Sequence, residues 1–309
     1  QKQNLNSDQV SGIDGMVRWN DRVNDFNYFV GVNLTLARQK TINNYGEVFL
    51  NGWDQYRWAQ TNRWSNVKNG AVWMWETIGV FQTQEEIDNY PVNIDGANNV
   101  NLRPGDLIFK DVNGDGLIDD YDKRPLGYAA TDYDWDSGNA NKNPLLSMGI
   151  NLGFEYKGID FAADFAGGFM NTFIGDWHVK YGIGTDQMGY VYNVIDSWQH
   201  EDIFDTKSPW KRGKFPAVRS NNPSIRDWND FYAKEINYLR LRNLVVGYTL
   251  PIKWTKKALI QKLRVYFEGS NLLCWDSLND FGFDPEISSV TGFDYPQHKV
   301  YTVGVNVTF

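Results

Sequence analysis

Residues 299–309 read Lys299-Val-Tyr-Thr-Val-Gly-Val-Asn-Val-Thr-Phe309, and this stretch decides the fold. Tyr301, Val303, Val305, Val307 and Phe309 fall on one parity, with Thr302, Gly304, Asn306 and Thr308 on the other. A period of two marks a β-strand with one apolar and one polar face. The pattern recurs upstream. Residues 25–38 set Phe26, Tyr28, Val30, Val32, Leu34 and Leu36 against Asn27, Gly31, Asn33 and Thr35. Residues 146–156 place Leu146, Met148, Ile150, Leu152, Phe154 and Tyr156 on one face. After a tight turn at Lys157-Gly158, Ile159, Phe161, Ala163 and Phe165 alternate with residues that include Asp160 and Asp164. Residues 237–250 and 263–273 predict two more strands, and residues 12–19 a weaker first one.

The connections alternate in length. Residues 20–24, 157–158 and 251–262 are short; 39–144, 171–230 and 275–297 are long. Transmembrane β-barrels have short periplasmic turns and long extracellular loops, so this alternation predicts an all-β, antiparallel transmembrane barrel with a periplasmic C-terminus. Acidic residues on the inner parity predict a wet interior instead of a sandwich core. Seven spanning strands are odd in number and too few for a pore, so the chain needs the rest of a larger barrel to close. Residues 39–144 are too long for a featureless loop and predict an ordered extracellular insertion.

Composition agrees. Aromatic residues make up 16% of the chain, with 13 Trp, 17 Tyr and 18 Phe, as interface girdles require. The mean hydropathy of −0.51 and the lack of a long apolar run exclude membrane helices but not membrane strands. A net charge of −8 excludes a nucleic-acid footprint, and the single Cys274 excludes an internal disulfide or a cysteine zinc cluster. Residues 1–15 are polar, so a signal peptide is expected elsewhere than here.

Several signatures resemble one family. Asn237-Tyr-Leu-Arg-Leu-Arg-Asn-Leu-Val-Val-Gly-Tyr-Thr-Leu-Pro251 is similar to a late strand of the SusC/RagA transporters, and Leu263-Arg-Val-Tyr-Phe-Glu-Gly-Ser-Asn-Leu272 to the strand that follows it. Pro104-Gly-Asp-Leu-Ile-Phe-Lys-Asp-Val-Asn-Gly-Asp-Gly-Leu-Ile-Asp119 resembles the acidic loop before them, and Glu85-Glu-Ile-Asp-Asn-Tyr90 fits the outer segment. The terminal aromatic strand resembles an outer-membrane assembly signal. The resemblance implies residues 1–309 are the C-terminal part of a TonB-dependent outer-membrane barrel of about 22 strands. It also implies an N-terminal plug, a TonB complex as energy source and a SusD-like surface lipoprotein as lid. No plug is recognisable in this sequence.

The sharpest chemical motif is Asp111-Val-Asn-Gly-Asp-Gly-Leu-Ile-Asp-Asp-Tyr-Asp122. Asp111, Asn113, Asp115, Asp119 and Asp122 occupy loop positions 1, 3, 5, 9 and 12, with the Leu117 carbonyl at 7, the spacing that wraps a hard cation in oxygen. Asp in place of Glu at position 12 keeps Mg²⁺ as a competitor to Ca²⁺. Such a cation is expected to be structural, since no histidine or nucleophile accompanies it. Trp53, Tyr56 and Trp58 in the first long connection, with Trp177 and Trp198 in the second, are candidates to stack on substrate; the other reading is that they pack the outer region.

Nothing predicts an enzyme. His178, His200 and His298 are isolated, and no nucleophile elbow is present. Two functions remain: TonB-dependent import of nutrient oligomers (oligosaccharides, or oligopeptides), and a secreted or surface calcium-stabilised glycan-binding β module. The alternation of loop lengths and the inner-face acids favour import.

Overall fold

The structure, a computed structural model, describes residues 7–43, 51–53, 55–56, 73–125, 133–134, 139–140, 144–174, 195–219, 222–225, 229–279, 284–286 and 297–309. Its frame is one antiparallel seven-stranded sheet. We number its strands β1 (Ser7–Val23), β2 (Phe26–Asn43), β3 (Leu146–Tyr156), β4 (Ile159–Ile174), β5 (Ala233–Thr249), β6 (Lys262–Asp276) and β7 (Val300–Thr308). Each pairs only with its neighbours in sequence order, so β1 and β7 are the two edges of an open sheet. All seven expected strands are present. β1 and β2 are longer than the alternation indicated, because their ladder runs unbroken from Val23↔Phe26 to Gln9↔Lys40. The first long connection therefore starts after Asn43, not at residue 39.

Register shows what the sheet is for. Side chains in one cross-strand row point to the same face. One row runs Arg22, Asn27, Glu155, Asp160, Gly247, Tyr266 and Gly304; another runs Arg18, Gly31, Asn151, Asp164, Asn243 and Ser270. The rows on the other face are apolar. Phe26, Tyr156, Ile159, Tyr248, Val265 and Val305 form the one nearest the short turns, and Trp19, Val30, Leu152, Ala163 and Leu244 one between the two polar rows. Among the described residues nothing covers the apolar face: Val303 is 77% exposed and Val305 57%. A water-soluble sandwich would bury it against a second sheet. An apolar face of this extent beside a polar one is the cross-section of a membrane barrel wall.

The hydrophobic core lies elsewhere, at the long-loop end. It joins Trp75, Phe81, Leu107, Phe109 and Ile118 of the first long connection to Phe215 of the second, Tyr232 and Ile236 at the start of β5, and Leu278 beyond β6. Residues 73–125 are thus packed around a core that they share with the other two connections. The three connections at the opposite end are compact. Lys157 and Gly158 turn at φ 48 and 88, both left-handed, the geometry of a two-residue hairpin that matches strand twist.

Candidate functional site

The polar face of the sheet is the first candidate surface. Near the short-turn end, Arg264 clasps Asp160 by two hydrogen bonds (Nε to Oδ1 2.9 Å, Nη2 to Oδ2 2.5 Å). Two rows on, Asn151 Nδ2 donates to Asp164 Oδ1 at 2.7 Å. Arg264, which by sequence falls beside a basic turn, belongs to this inner wall. The wall is charged, paired and wettable.

At the long-loop end of β5, Arg240 and Arg242 meet acids from the third long connection. Arg240 Nη2 donates to both oxygens of Asp284 at 2.7 Å, and its Nε lies 2.6 Å from Glu286 Oε2. Arg242 Nη2 pairs with Glu286, and Tyr238 Oη donates to Glu286 Oε1 at 3.1 Å. The ladders to both neighbouring strands shift register at Arg242, so this residue is a bulge. The Arg240 side chain is 5% exposed, Glu286 12% and Asp284 18%. Sequence reasoning missed this cluster. The available signal was charge: two arginines close together in one strand need acids where they are buried, and Asp284-Pro285-Glu286 supplies them.

The first and second connections are joined by polar contacts as well as by the core. Arg219 forks onto Asp106 at 2.7 and 2.5 Å. Burial pushes the Asp106 carboxyl above its ordinary value, against the pull of the Arg219 guanidinium and the Arg103 N–H. Leu107 N–H donates to Ser224 Oγ (2.7 Å) and Thr77 N–H to Asp230 Oδ1 (2.8 Å).

The Asp111–Asp122 loop is tightly wound. Asp111 accepts from the N–H groups of Gly114 (2.6 Å) and Gly116 (2.9 Å), and Asp115 from that of Leu117 (2.9 Å). Gly114 and Gly116 sit at φ 78 and 82, where a side chain would be strained. Asp119 caps the short 3-10 turn Asp120–Asp122 by accepting from Tyr121 N–H at 2.7 Å. Asp122, fully buried, accepts from Val112 (2.8 Å) and Asp119 (2.9 Å). Asn113 Nδ2 donates to Asp115 Oδ2 at 2.9 Å. Leu117 bridges to Asn93, and Trp75 Nε1 donates to the Asp119 carbonyl at 2.8 Å, which fastens the loop to the core. Among the described residues, no three His, Cys, Asp or Glu side chains close on one point as a metal site. The carboxylates are held by backbone N–H groups, and a carboxylate has about four lone-pair positions, so each keeps acceptor capacity.

The neighbouring loop carries a pH-dependent element. Asp95 accepts from Ala97, Asn99 and Asn101 N–H at 2.7, 2.8 and 2.9 Å. Burial works to raise its carboxyl, but these donors outweigh it and hold the group below the ordinary value. A depressed acid stabilises the fold above its unfolded value and loses that contribution as pH falls through the folded one. Hydrogen exchange at Asn99 and Asn101 should therefore accelerate below about pH 4, and Asp95→Asn should remove that pH dependence. Exchange that stays flat with pH in the native protein would contradict this.

The aromatic candidates divide. Trp53 stacks on Tyr56 (centroids 5.5 Å) and leans on Tyr121 (5.2 Å), beside the acidic loop. Tyr56 remains 43% exposed. Trp198 does not present a face to a ligand: it is 4% exposed, and its ring fills the space beside Gly105 that any larger residue would occupy. Trp58 and Trp177 lie outside the described residues.

Known proteins place this geometry. No family model matches the chain. TonB-dependent receptor P3 of Formosa agariphila is 26% identical over 261 residues, covering 78% of this chain and 22% of that receptor. Receptor P26 of the same organism is 26% identical over 249 residues, 75% of this chain and 22% of its own length. The chain thus spans about a fifth of the curated relatives it matches. Among solved structures, the RagAB peptide transporter aligns over 99% of this chain and 30% of its own, at a TM-score of 0.59 and 19% identity. The RagAB peptide importer in its open-open state gives 0.57 and 21%. Strand pattern, two-faced sheet, sequence relatives and structural neighbours agree: the chain is similar in sequence to about a fifth of the length of TonB-dependent receptors and shares the fold of the matching part of the RagAB structures.

Proposed function

We propose that this chain forms one section of the barrel wall, with its extracellular cap, of an outer-membrane importer of nutrient oligomers driven through TonB. The observation that carries the reading is the uncovered apolar face backed by a charged, paired inner face. A glycan-binding module secreted into water would have to hide Val303 and Val305, and here they stand open. Among the described residues β1 and β7 are free edges, and unpaired backbone groups in lipid cost several kcal/mol each. They would pair with the remaining strands of the barrel, around a plug outside this sequence. The three long connections then lie on the cell exterior and the strand β7 ends in the periplasm. A SusD-like lipoprotein would close over the exterior end, where the shared core makes a firm seat.

The cargo we propose is an oligopeptide or oligosaccharide. The RagAB neighbours transport peptide, and Tyr56, with Trp53 against it, offers an aromatic surface that suits a sugar ring. Uptake of labelled oligopeptides and oligosaccharides by cells with and without the gene tests this. Import lost on deletion, and lost again without TonB, supports it; uptake unchanged by deletion refutes it.

We also propose that Asp111, Asn113, Asp115, Asp119 and Asp122, with the Leu117 carbonyl, hold Ca²⁺ as a structural clip, Mg²⁺ being the competitor. The support is the ligand spacing and a loop already wound by backbone N–H donors. At a Ca²⁺ concentration 100-fold above its Kd the clip would add about 2.7 kcal/mol to the subdomain. Removing Ca²⁺ with a chelator should raise protease sensitivity across residues 93–122, and Asp111→Ala should reproduce the effect while the barrel still assembles. Equal sensitivity with and without Ca²⁺ would dismiss the clip.

A further inference from the structure

The connection between β5 and β6 has a composition that neither barrel closure nor transport uses. It runs Pro251-Ile-Lys-Trp-Thr-Lys-Lys-Ala-Leu-Ile-Gln261, with three lysines and no acid. Its structure is a single helical turn, Ile252–Thr255, followed by a 3-10 turn, Lys256–Ala258. Thr255 alone is buried. Ile252 is 59% exposed, Trp254 67% and Leu259 83%, and Lys253, Lys256 and Lys257 are exposed among them.

Leu259 is the telling residue. Its φ of 61 is left-handed, and its N–H donates to the Lys256 carbonyl (3.1 Å) while Ile260 N–H donates to that of Thr255 (3.3 Å). This is the end of a helical turn where glycine is the usual occupant. A leucine here strains the backbone and then projects its side chain into the surroundings. Neither stability nor solubility in water accounts for it, and observed strain of this kind points to a function.

Topology places the connection at the level of the membrane boundary. It lies at the same end of the sheet as the turns after β1 and β3. The outward row nearest that end is Phe26, Tyr156, Ile159, Tyr248 and Val265, an aromatic-rich row of the kind that sits among headgroups. Lys157 Nζ stands 5.1 Å over the Tyr156 ring at the same level. The connection follows directly from the strand that carries Tyr248 in this row, its apolar side chains stand exposed, and its lysines bring positive charge to the level where phosphates lie.

We propose that the β5–β6 connection is a lipid-docking surface for anionic phospholipid. Ile252, Trp254 and Leu259 enter the boundary between headgroups and acyl chains, and Lys253, Lys256 and Lys257 hold the anionic headgroups. Such a surface fixes the depth of this part of the barrel at its short-turn end. The inference rests on the apolar face of the sheet meeting lipid.

The test uses the full-length protein in vesicles of phosphatidylethanolamine with phosphatidylglycerol, their acyl chains brominated close to the headgroup. Subtracting the emission of Trp254→Phe from that of the native protein isolates Trp254, and its signal should be quenched. In native mass spectrometry, neutralising Lys253, Lys256 and Lys257 to Gln should lower retention of phosphatidylglycerol relative to phosphatidylethanolamine by about fivefold per lysine. Leu259→Gly relieves the backbone, so it should leave barrel assembly intact, judged by heat-modifiable migration, and still weaken lipid retention. A tryptophan placed by Phe161→Trp on the outward face separates the two readings. If it is quenched while Trp254 is not, or if the lysine variants retain the two lipids in the native ratio, the docking surface is overturned. If it too is unquenched, the bilayer-spanning reading fails first. Protection of Trp254 only by a bound periplasmic protein would also overturn the proposal.

Discussion

Arg240→Leu should open the long-loop end of β5 by about 3–5 kcal/mol, the cost of leaving buried charges without their partner. Asp284 and Glu286 share this one guanidinium, with Arg242 reaching only Glu286. Hydrogen exchange at Asn237, Leu278 and Glu286 should rise at least a hundredfold, since about 1.4 kcal/mol corresponds to tenfold. Leucine fills much of the arginine's volume, so packing loss alone does not account for an effect of this size. Adding Asp284→Asn and Glu286→Gln should recover most of it, because the remaining cost of Arg240→Leu is uncompensated charge. If the triple variant exchanges as fast as the single one, the cluster is packing and not electrostatics.

Leu152→Arg should block or weaken insertion by about 2–4 kcal/mol, the cost of a cation near the bilayer midplane on a barrel's lipid face. Leu152 lies on the central strands between Val30 and Ala163, in the third apolar row from the short-turn end. Asn151→Arg, one residue away, projects to the other face beside Asp164 and should be nearly neutral. The contrast between adjacent positions is the informative quantity. A general loss of folding from any arginine in β3 would hit both alike. Folding yield into vesicles, measured by heat-modifiable migration across a urea series, separates them.

The strands were legible because a barrel wall writes its two environments into alternate residues. β3 runs from Leu146 to Tyr156, as its apolar parity indicates, and β7 differs from its alternation by one residue at each end. β1 was weakest in sequence, since Ile13, Met16, Val17 and Trp19 do not share one parity; its ladder with β2 restores the register. The outer core was not legible. Its members come from residues 75 to 278, and no local period links Phe109 to Phe215 or Leu278. Trp198 illustrates the difficulty: an aromatic in a long loop looks like a ligand contact, yet the space beside Gly105 buries it. The start of the first connection lies beyond residue 39 because a hydrogen-bonded ladder can continue past the lipid-facing band, where alternation is no longer required.

The central claim is that one parity of each strand faces lipid and the other faces water. Single cysteines at positions 301 to 306, introduced with Cys274→Ser in the full-length protein, test it most directly. Each would be probed in vesicles with a water-soluble maleimide and with a nitroxide carried in the acyl chains. The account predicts strict alternation, with positions 302, 304 and 306 reached from water and positions 301, 303 and 305 reached from lipid. Reversed parity, or uniform reaction from water along the strand, would contradict it.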